Sequence, residues 1–166
     1  MGLTICWQTS QDNAESKVPV VTDFAVLYLY LTDEVIQHSE WHPLSGHEAN
    51  CCTSLQREVR LFLERPERCE LNLVLRRQGT EFCHRVWQEL IRIPFGETLT
   101  YAQLAQRVGS GARAVANACR SNPFPGFIPC HRVVAVRGIG GFMGQKEGPY
   151  VELKRRILQY EATQRR

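Results

Sequence analysis

No apolar run in the 166-residue chain approaches the roughly 18 residues needed to cross a bilayer, and the longest, 24–31, is far too short. The N-terminal stretch MGLTICWQTSQDN has no basic region leading into an apolar one, so no secretory signal is expected. A cytoplasmic protein, nuclear in a eukaryote, is the resulting expectation. No C-x-x-C pair occurs among the seven cysteines, Cys6, Cys51, Cys52, Cys69, Cys83, Cys119 and Cys130. That excludes a zinc ribbon or a thioredoxin-type centre, and an odd, uneven set of cysteines without an export signal points to reduced thiols. His38, His42 and His47 lie near Cys51 and Cys52, but their spacing matches no recurrent ligand pattern, so neither a metal nor a cofactor is expected. Lysine is scarce, with 3 against 17 arginines. Guanidinium suits bidentate phosphate contacts and stacking beside bases.

What is present is ordinary for a globular chain: 43% apolar and 22% charged residues, with 12 Gly and 8 Pro. The net charge of +3 hides an asymmetry. Residues 1–82 carry 7 basic and 12 acidic side chains, whereas residues 83–166 carry 13 and 5. An acidic half joined to a basic one fits a polyanion-binding domain beside one that does not bind. The expected fold class is α+β. A small N-terminal domain, 1–78, should hold an antiparallel sheet with one helix. A mainly helical domain should follow over 79–166.

In the first domain, 3–7 and 24–31 read as strands, with a polar loop over 8–17 between them. Thr32-Asp33-Glu34 should turn the chain into a hairpin. Thr53-x-x-Gln56 is a capping box ahead of Leu55, Val59, Phe62 and Leu63, and Pro66 should stop that helix. The charged stretch 67–79 reads as a connector.

In the second domain, Phe82, Val86, Leu90 and Ile93 repeat at helical spacing up to Pro94. Thr100-x-x-Gln103 is a second capping box. Gly109-Ser110-Gly111 reads as a tight turn, with Ser110 capping a helix from about Ala112 to Ser121. One face of that helix carries Val115, Ala118, Cys119 and Asn122. The other carries Arg113, Ala116, Asn117 and Arg120. Helix, glycine turn and basic helix together form a helix-turn-helix pattern. After Asn122, a proline-rich apolar segment delivers Cys130 beside His131. A thiol reacts as its thiolate, and a neighbouring histidine can take the proton. Adjacent residues on an extended chain point apart, so the pair needs a turn, a bridging water or a third group.

Pro129-Cys130-His131-Arg132-Val133-Val134 resembles the active-site signature of the O6-alkylguanine-DNA alkyltransferases. The resemblance extends to Phe82…Val86-Trp87…Ile93-Pro94-Phe95-Gly96-Glu97-Thr98…Tyr101 and to Arg113-Ala114-Val115…Arg120-Ser121-Asn122-Pro123. It covers about 79–161 densely, and 1–78 only in general layout. It implies a ribonuclease-H-like N-terminal domain and a winged helix-turn-helix. It also implies repair of O6-alkylguanine, chiefly O6-methylguanine with O4-methylthymine as an alternative, by a monomer bound to double-stranded DNA. Cys130 would accept the alkyl group once. His131 would take its proton through a water, oriented by Glu161, and Asn122 would hold the network. Tyr101 would help extrude the nucleotide and protonate guanine N3. Arg113 would fill the gap in the duplex, with Ala114, Ala116, Asn117 and Arg120 along the DNA. Cys119, Pro125 and Phe142 would line the pocket, Cys130 and Val133 would offer carbonyls to the guanine amino group, and Met143 a main-chain donor to O6.

Two neighbouring segments depart from the family pattern. The glycine loop, Gly138-Ile-Gly-Gly-Phe142-Met143-Gly144-Gln145, is one residue short before the aromatic and lacks the last glycine. Phe142 replaces a tyrosine, and Met143 a small residue, which would narrow the pocket. The segment 146–153 is longer than usual. Two other classes remain open from the residues: a module that senses alkylated guanine without transfer, and a helix-turn-helix regulator. The intact Cys130 context speaks against the first. The chain shows no obvious effector module for the second.

Overall fold

Alternating leucines, β-branched residues and aromatics in the first half form strands, as their period of two requires. The computed structural model describes residues 2–9, 15–49 and 53–165, and the chain divides into two units, Met1–Gln78 and Gly79–Arg166. The first unit holds β1 (Gly2–Gln8), β2 (Ser16–Val21), β3 (Val26–Thr32), β4 (Val35–His42), α1 (Ser54–Glu64) and β5 (Glu70–Arg76). The sheet order is β1-β5-β4-β3-β2. Strands β2, β3 and β4 are antiparallel, but β5 runs parallel to both β4 and β1.

The sheet is therefore mixed, not antiparallel. Its cause is α1, which lies between β4 and β5 and returns the chain in the same direction, as parallel pairing demands. The stretch expected to be a connector contains β5. Leu71, Leu73 and Leu75 alternate inward and are buried, while Glu70 and Asn72 face solvent. Surface charge masked a period-two strand. The loop expected up to Lys17 likewise ends earlier, at Ser16. Thr53 and Gln56 form the capping box of α1 reciprocally, and Gln56 Nε2 donates to the Pro19 carbonyl at 2.7 Å, tying α1 to β2.

The second unit comprises α2 (Glu81–Ile91), β6 (Leu99–Thr100), α3 (Tyr101–Val108), α4 (Ala112–Arg120), β7 (Val133–Val134) and α5 (Pro149–Gln164). Thr100 and Gln103 form the second capping box. The N-cap of α4 is Gly111, with no side-chain bond, so Ser110 does not cap it. Its backbone N–H instead closes the end of α3, donating to Ala105 O at 2.9 Å. Trp87, buried in α2, donates from Nε1 to Ala118 O at 2.9 Å and anchors α4 from behind. That leaves Arg113, Asn117 and Arg120 exposed. Among the described residues, no helix is long and apolar enough to cross a membrane.

Candidate active site

The chemistry of the second unit is built by a run of prolines. Asn122 closes the turn after α4: its Nδ2 donates to Ile128 O at 2.8 Å, and its Oδ1 accepts from Phe124 N at 2.9 Å. Pro129, at φ −80° and ψ 66°, is the centre of an inverse γ-turn in which Cys130 N donates to Ile128 O at 2.8 Å. The ring of Pro129 presets that φ. Cys130–Arg132 then form one 3₁₀ turn before β7. This supplies the turn that the adjacent Cys130 and His131 require. β7 pairs in parallel with β6, Leu99 against Val133 and Thr100 against Val134. That pairing fixes Tyr101, the first residue of α3, near Cys130.

Behind the turn lies a buried charge network. His131 Nε2 meets Glu161 Oε1 at 2.7 Å. Arg132 Nε donates to Glu161 Oε2 at 2.9 Å, and its two terminal nitrogens donate to Glu161 Oε1 at 3.0 Å and to Ile93 O at 2.8 Å. Burial opposes ionisation of Glu161, but His131 and Arg132 together hold its carboxyl down at about 2. Burial keeps His131 below its ordinary value in spite of Glu161, so the ring is neutral at neutral pH. A neutral ring that donates from Nε2 leaves Nδ1 as an acceptor, and this buried atom has no hydrogen-bond partner among the described residues.

In front of Cys130 is a cavity of about 210 Å³, lined by residues that include Tyr101, Ala116, Cys119, Arg120, Phe142 and Met143. Burial pushes the Cys130 thiol up, while Asn122 and Lys154 draw it down. Burial, with Cys119 and Cys130 nearby, raises Tyr101 to about 12, so its hydroxyl stays protonated as a donor. Cys119 is likewise pushed up to about 12 by burial and by Cys130. Two thiols, Cys119 and Cys130, share the cavity.

Cys130, His131, Glu161, Tyr101 and Asn122 thus come together, and Cys119, Phe142 and Met143 line the cavity beside Cys130. Pro125 and Val133 do not line it. Both are buried, Pro125 in the proline turn and Val133 in the core of β7. On α4, Ala116 and Arg120 reach the cavity, Arg113 and Asn117 face solvent, and Ala114 is half-buried. Five described cysteines are free thiols. Among the described residues no group of three His, Cys, Asp or Glu could hold a metal; the arrangement with Cys51 and Cys52 lies outside the described residues.

Two residues here escaped sequence reasoning. Arg132 clamps Glu161, although it stands inside the signature. Lys154 is fully buried, and its Nζ donates to Val133 O at 2.6 Å and Gly141 O at 3.0 Å. Burial brings Lys154 down to about 8, opposed by Cys130 and Cys119. The available signal was a lysine on the inward stripe of α5, three residues after Val151, three before Ile157 and seven before Glu161.

Half-buried Cys130 thus faces the cavity with buried His131 and Glu161 behind it, beside the short helix pair α3 and α4, the arrangement of a nucleophilic thiol next to a helical surface. Residues 81–163 match the family model described as the 6-O-methylguanine DNA methyltransferase DNA-binding domain, and the chain belongs to that family. It is 48% identical over 73 residues, 43% of its length, to a probable methylated-DNA–protein-cysteine methyltransferase of Acanthamoeba polyphaga mimivirus. It is 42% identical over 98 residues, 57% of its length, to the constitutive methylated-DNA–protein-cysteine methyltransferase of Bacillus subtilis. These matches span 49% and 57% of the two relatives' own lengths. The fold resembles the crystal structure of Mycobacterium tuberculosis O6-methylguanine methyltransferase, with a TM-score of 0.69, 24% identity, and coverage of 90% of this chain and 94% of that one.

Proposed function

We propose that this protein is a direct-reversal DNA repair transferase that moves the alkyl group of O6-alkylguanine onto its own Cys130. The observation that carries this reading is the buried His131–Glu161–Arg132 network behind a cysteine that opens on a cavity shared with Tyr101. Nδ1 of neutral His131 takes the thiol proton, through a bridging water. The sulfur attacks the alkyl carbon, the carbon–O6 bond breaks, and its electron pair stays with guanine. Tyr101, held protonated, supplies the proton to guanine N3, so the thiol's proton ends in net terms on the base. The thioether is stable, and nothing in the site regenerates the thiol. Each molecule acts once, as a monomer.

Lys154 adds an electrostatic contribution. A buried ammonium with two carbonyl partners and no carboxylate beside it favours an anion nearby, and the Cys130 thiolate is that anion.

O6 of a stacked guanine is out of reach of this cavity, so the nucleotide must leave the duplex. In this reading α3 and α4 form a helix-turn-helix, with Arg113, Asn117 and Arg120 turned to DNA, beside Ala114 and Ala116 where the groove wall comes close. Arg113 replaces the extruded base. The family model's own description as a DNA-binding domain supports DNA as the partner. Peptide mass analysis after incubation with a duplex containing O6-methylguanine tests the assignment. The methyl group should sit on the peptide holding Cys130. Labelling of Cys119 instead would overturn the mechanism.

A further inference from the structure

The mouth of the cavity carries two residues, Gln145 and Lys146, to which methyl transfer gives no role. Phe142 and Gln145 close a two-residue hairpin, Phe142 N to Gln145 O at 2.8 Å and Gln145 N to Phe142 O at 2.9 Å. Its tip, Met143 and Gly144, has φ of 50° and 79°, as a type I′ turn needs. A Cβ on Gly141 would lie 2.7 Å from Gln145 O, so the two arms touch at backbone level. Gly141 O is in turn held by buried Lys154. The hairpin is thereby fixed to the floor of the site, and the next residue, Lys146, is carried to the rim.

Among the described residues, Lys146 and Arg120 are the charged side chains lining this cavity, and no carboxylate lines it. Glu147 follows Lys146 but is not a lining residue, and Glu152 is engaged by Arg155 Nε at 3.2 Å. With Lys154 behind the wall, two of the chain's 3 lysines serve one pocket. Lys146 also opens the segment that is longer here than in the family pattern. A rim whose charged residues are both cationic, around a reactive thiol, suits a substrate whose transferable group itself bears negative charge.

We propose that the pocket favours O6-alkylguanines whose alkyl group ends in a carboxylate, of the carboxymethyl type, and that Lys146 reads that carboxylate. This rests on the alkyl-transfer reading above. The step balances in the same way: a bond forms between Sγ and the methylene carbon, the bond from that carbon to O6 breaks, and guanine leaves with a proton. The product is S-carboxymethylcysteine. A rim cation could instead serve a DNA phosphate, and that source is separated by a neutral adduct of equal size.

The test is single-turnover kinetics on one duplex sequence carrying either O6-carboxymethylguanine or its carbamoylmethyl isostere. The protein should transfer the anionic group about three- to fivefold faster, the range expected for one exposed charge pair. Lys146→Gln should bring that ratio close to one, Lys146→Arg should retain it, and added salt should reduce it. A ratio of one in the unaltered protein overturns the proposal. So does a Lys146→Gln variant that slows both adducts equally, which would mark a phosphate contact. If neither these adducts nor O6-methylguanine label Cys130, the alkyl-transfer reading itself has failed.

Discussion

At the scale of single residues, Lys154 has the strongest claim among the side chains that the sequence did not flag. A lysine on an apolar helix stripe is easily taken for a side chain that snorkels to solvent. Here it ends on two carbonyls beneath the reactive turn. Lys154→Met keeps most of the volume and removes the charge, so the Cys130 thiol should ionise at higher pH. The rate of Cys130 alkylation by a small haloacetamide, followed against pH, should shift upward by about one unit, with a roughly tenfold loss at pH 7. Lys154→Arg should recover part of the loss. An unmoved pH profile in a folded Lys154→Met protein would leave Lys154 only the task of tethering Gly141. The signature residues were legible because adjacent Cys130 and His131 are chemically telling. The pairing of His131 with Glu161 came only from the family resemblance, and the Arg132 clamp on Glu161 was not legible, because the two lie 29 residues apart in sequence and meet only through α5.

At the scale of elements, the capping boxes at Thr53 and Thr100 were readable because a cap is local chemistry. β5 was not, since its Leu71, Leu73 and Leu75 alternate with Glu70, Asn72, Val74 and Arg76 in a stretch whose charged ends composition alone calls a linker. The parallel direction of β5 was beyond local reading as well, because it depends on the α1 crossover. For α4, the exposed row begins at Arg113. Extruding a nucleotide unstacks the duplex at a cost of a few kcal/mol unless a planar group fills the gap. Arg113→Ala should therefore slow transfer from duplex DNA by about 2 kcal/mol, or roughly thirtyfold. With free O6-alkylguanine base the loss should be at most about twofold, since no stack needs filling. Equal losses on both substrates would assign Arg113 to the pocket or the fold.

At the scale of the whole molecule, the division into an acidic half and a basic half was visible in the charge count, and the cavity, the network and the exposed arginines of α4 all fall in the basic one. The same network that orients His131 also sets a pH dependence of stability. The Glu161 carboxyl ionises at about 2 when folded, below its ordinary 4.5. A depressed acid contributes stability that is complete above the unfolded value and is lost as pH falls from about 4.5 toward 2. Glu161→Gln should lower stability at pH 7 by about 3 kcal/mol, because Arg132 and His131 lose their buried anion, and should flatten the acid limb of the stability curve. Denaturant titrations between pH 7 and pH 3 check both. The central claim is that Cys130 is the acceptor and acts once, and intact-protein mass after incubation with a several-fold excess of O6-methylguanine duplex tests it most directly. The protein should gain one methyl group per molecule with no further change over time, and Cys130→Ala should gain none while still binding DNA. Methyl turnover beyond one equivalent, or a methylated Cys130→Ala protein, would contradict it.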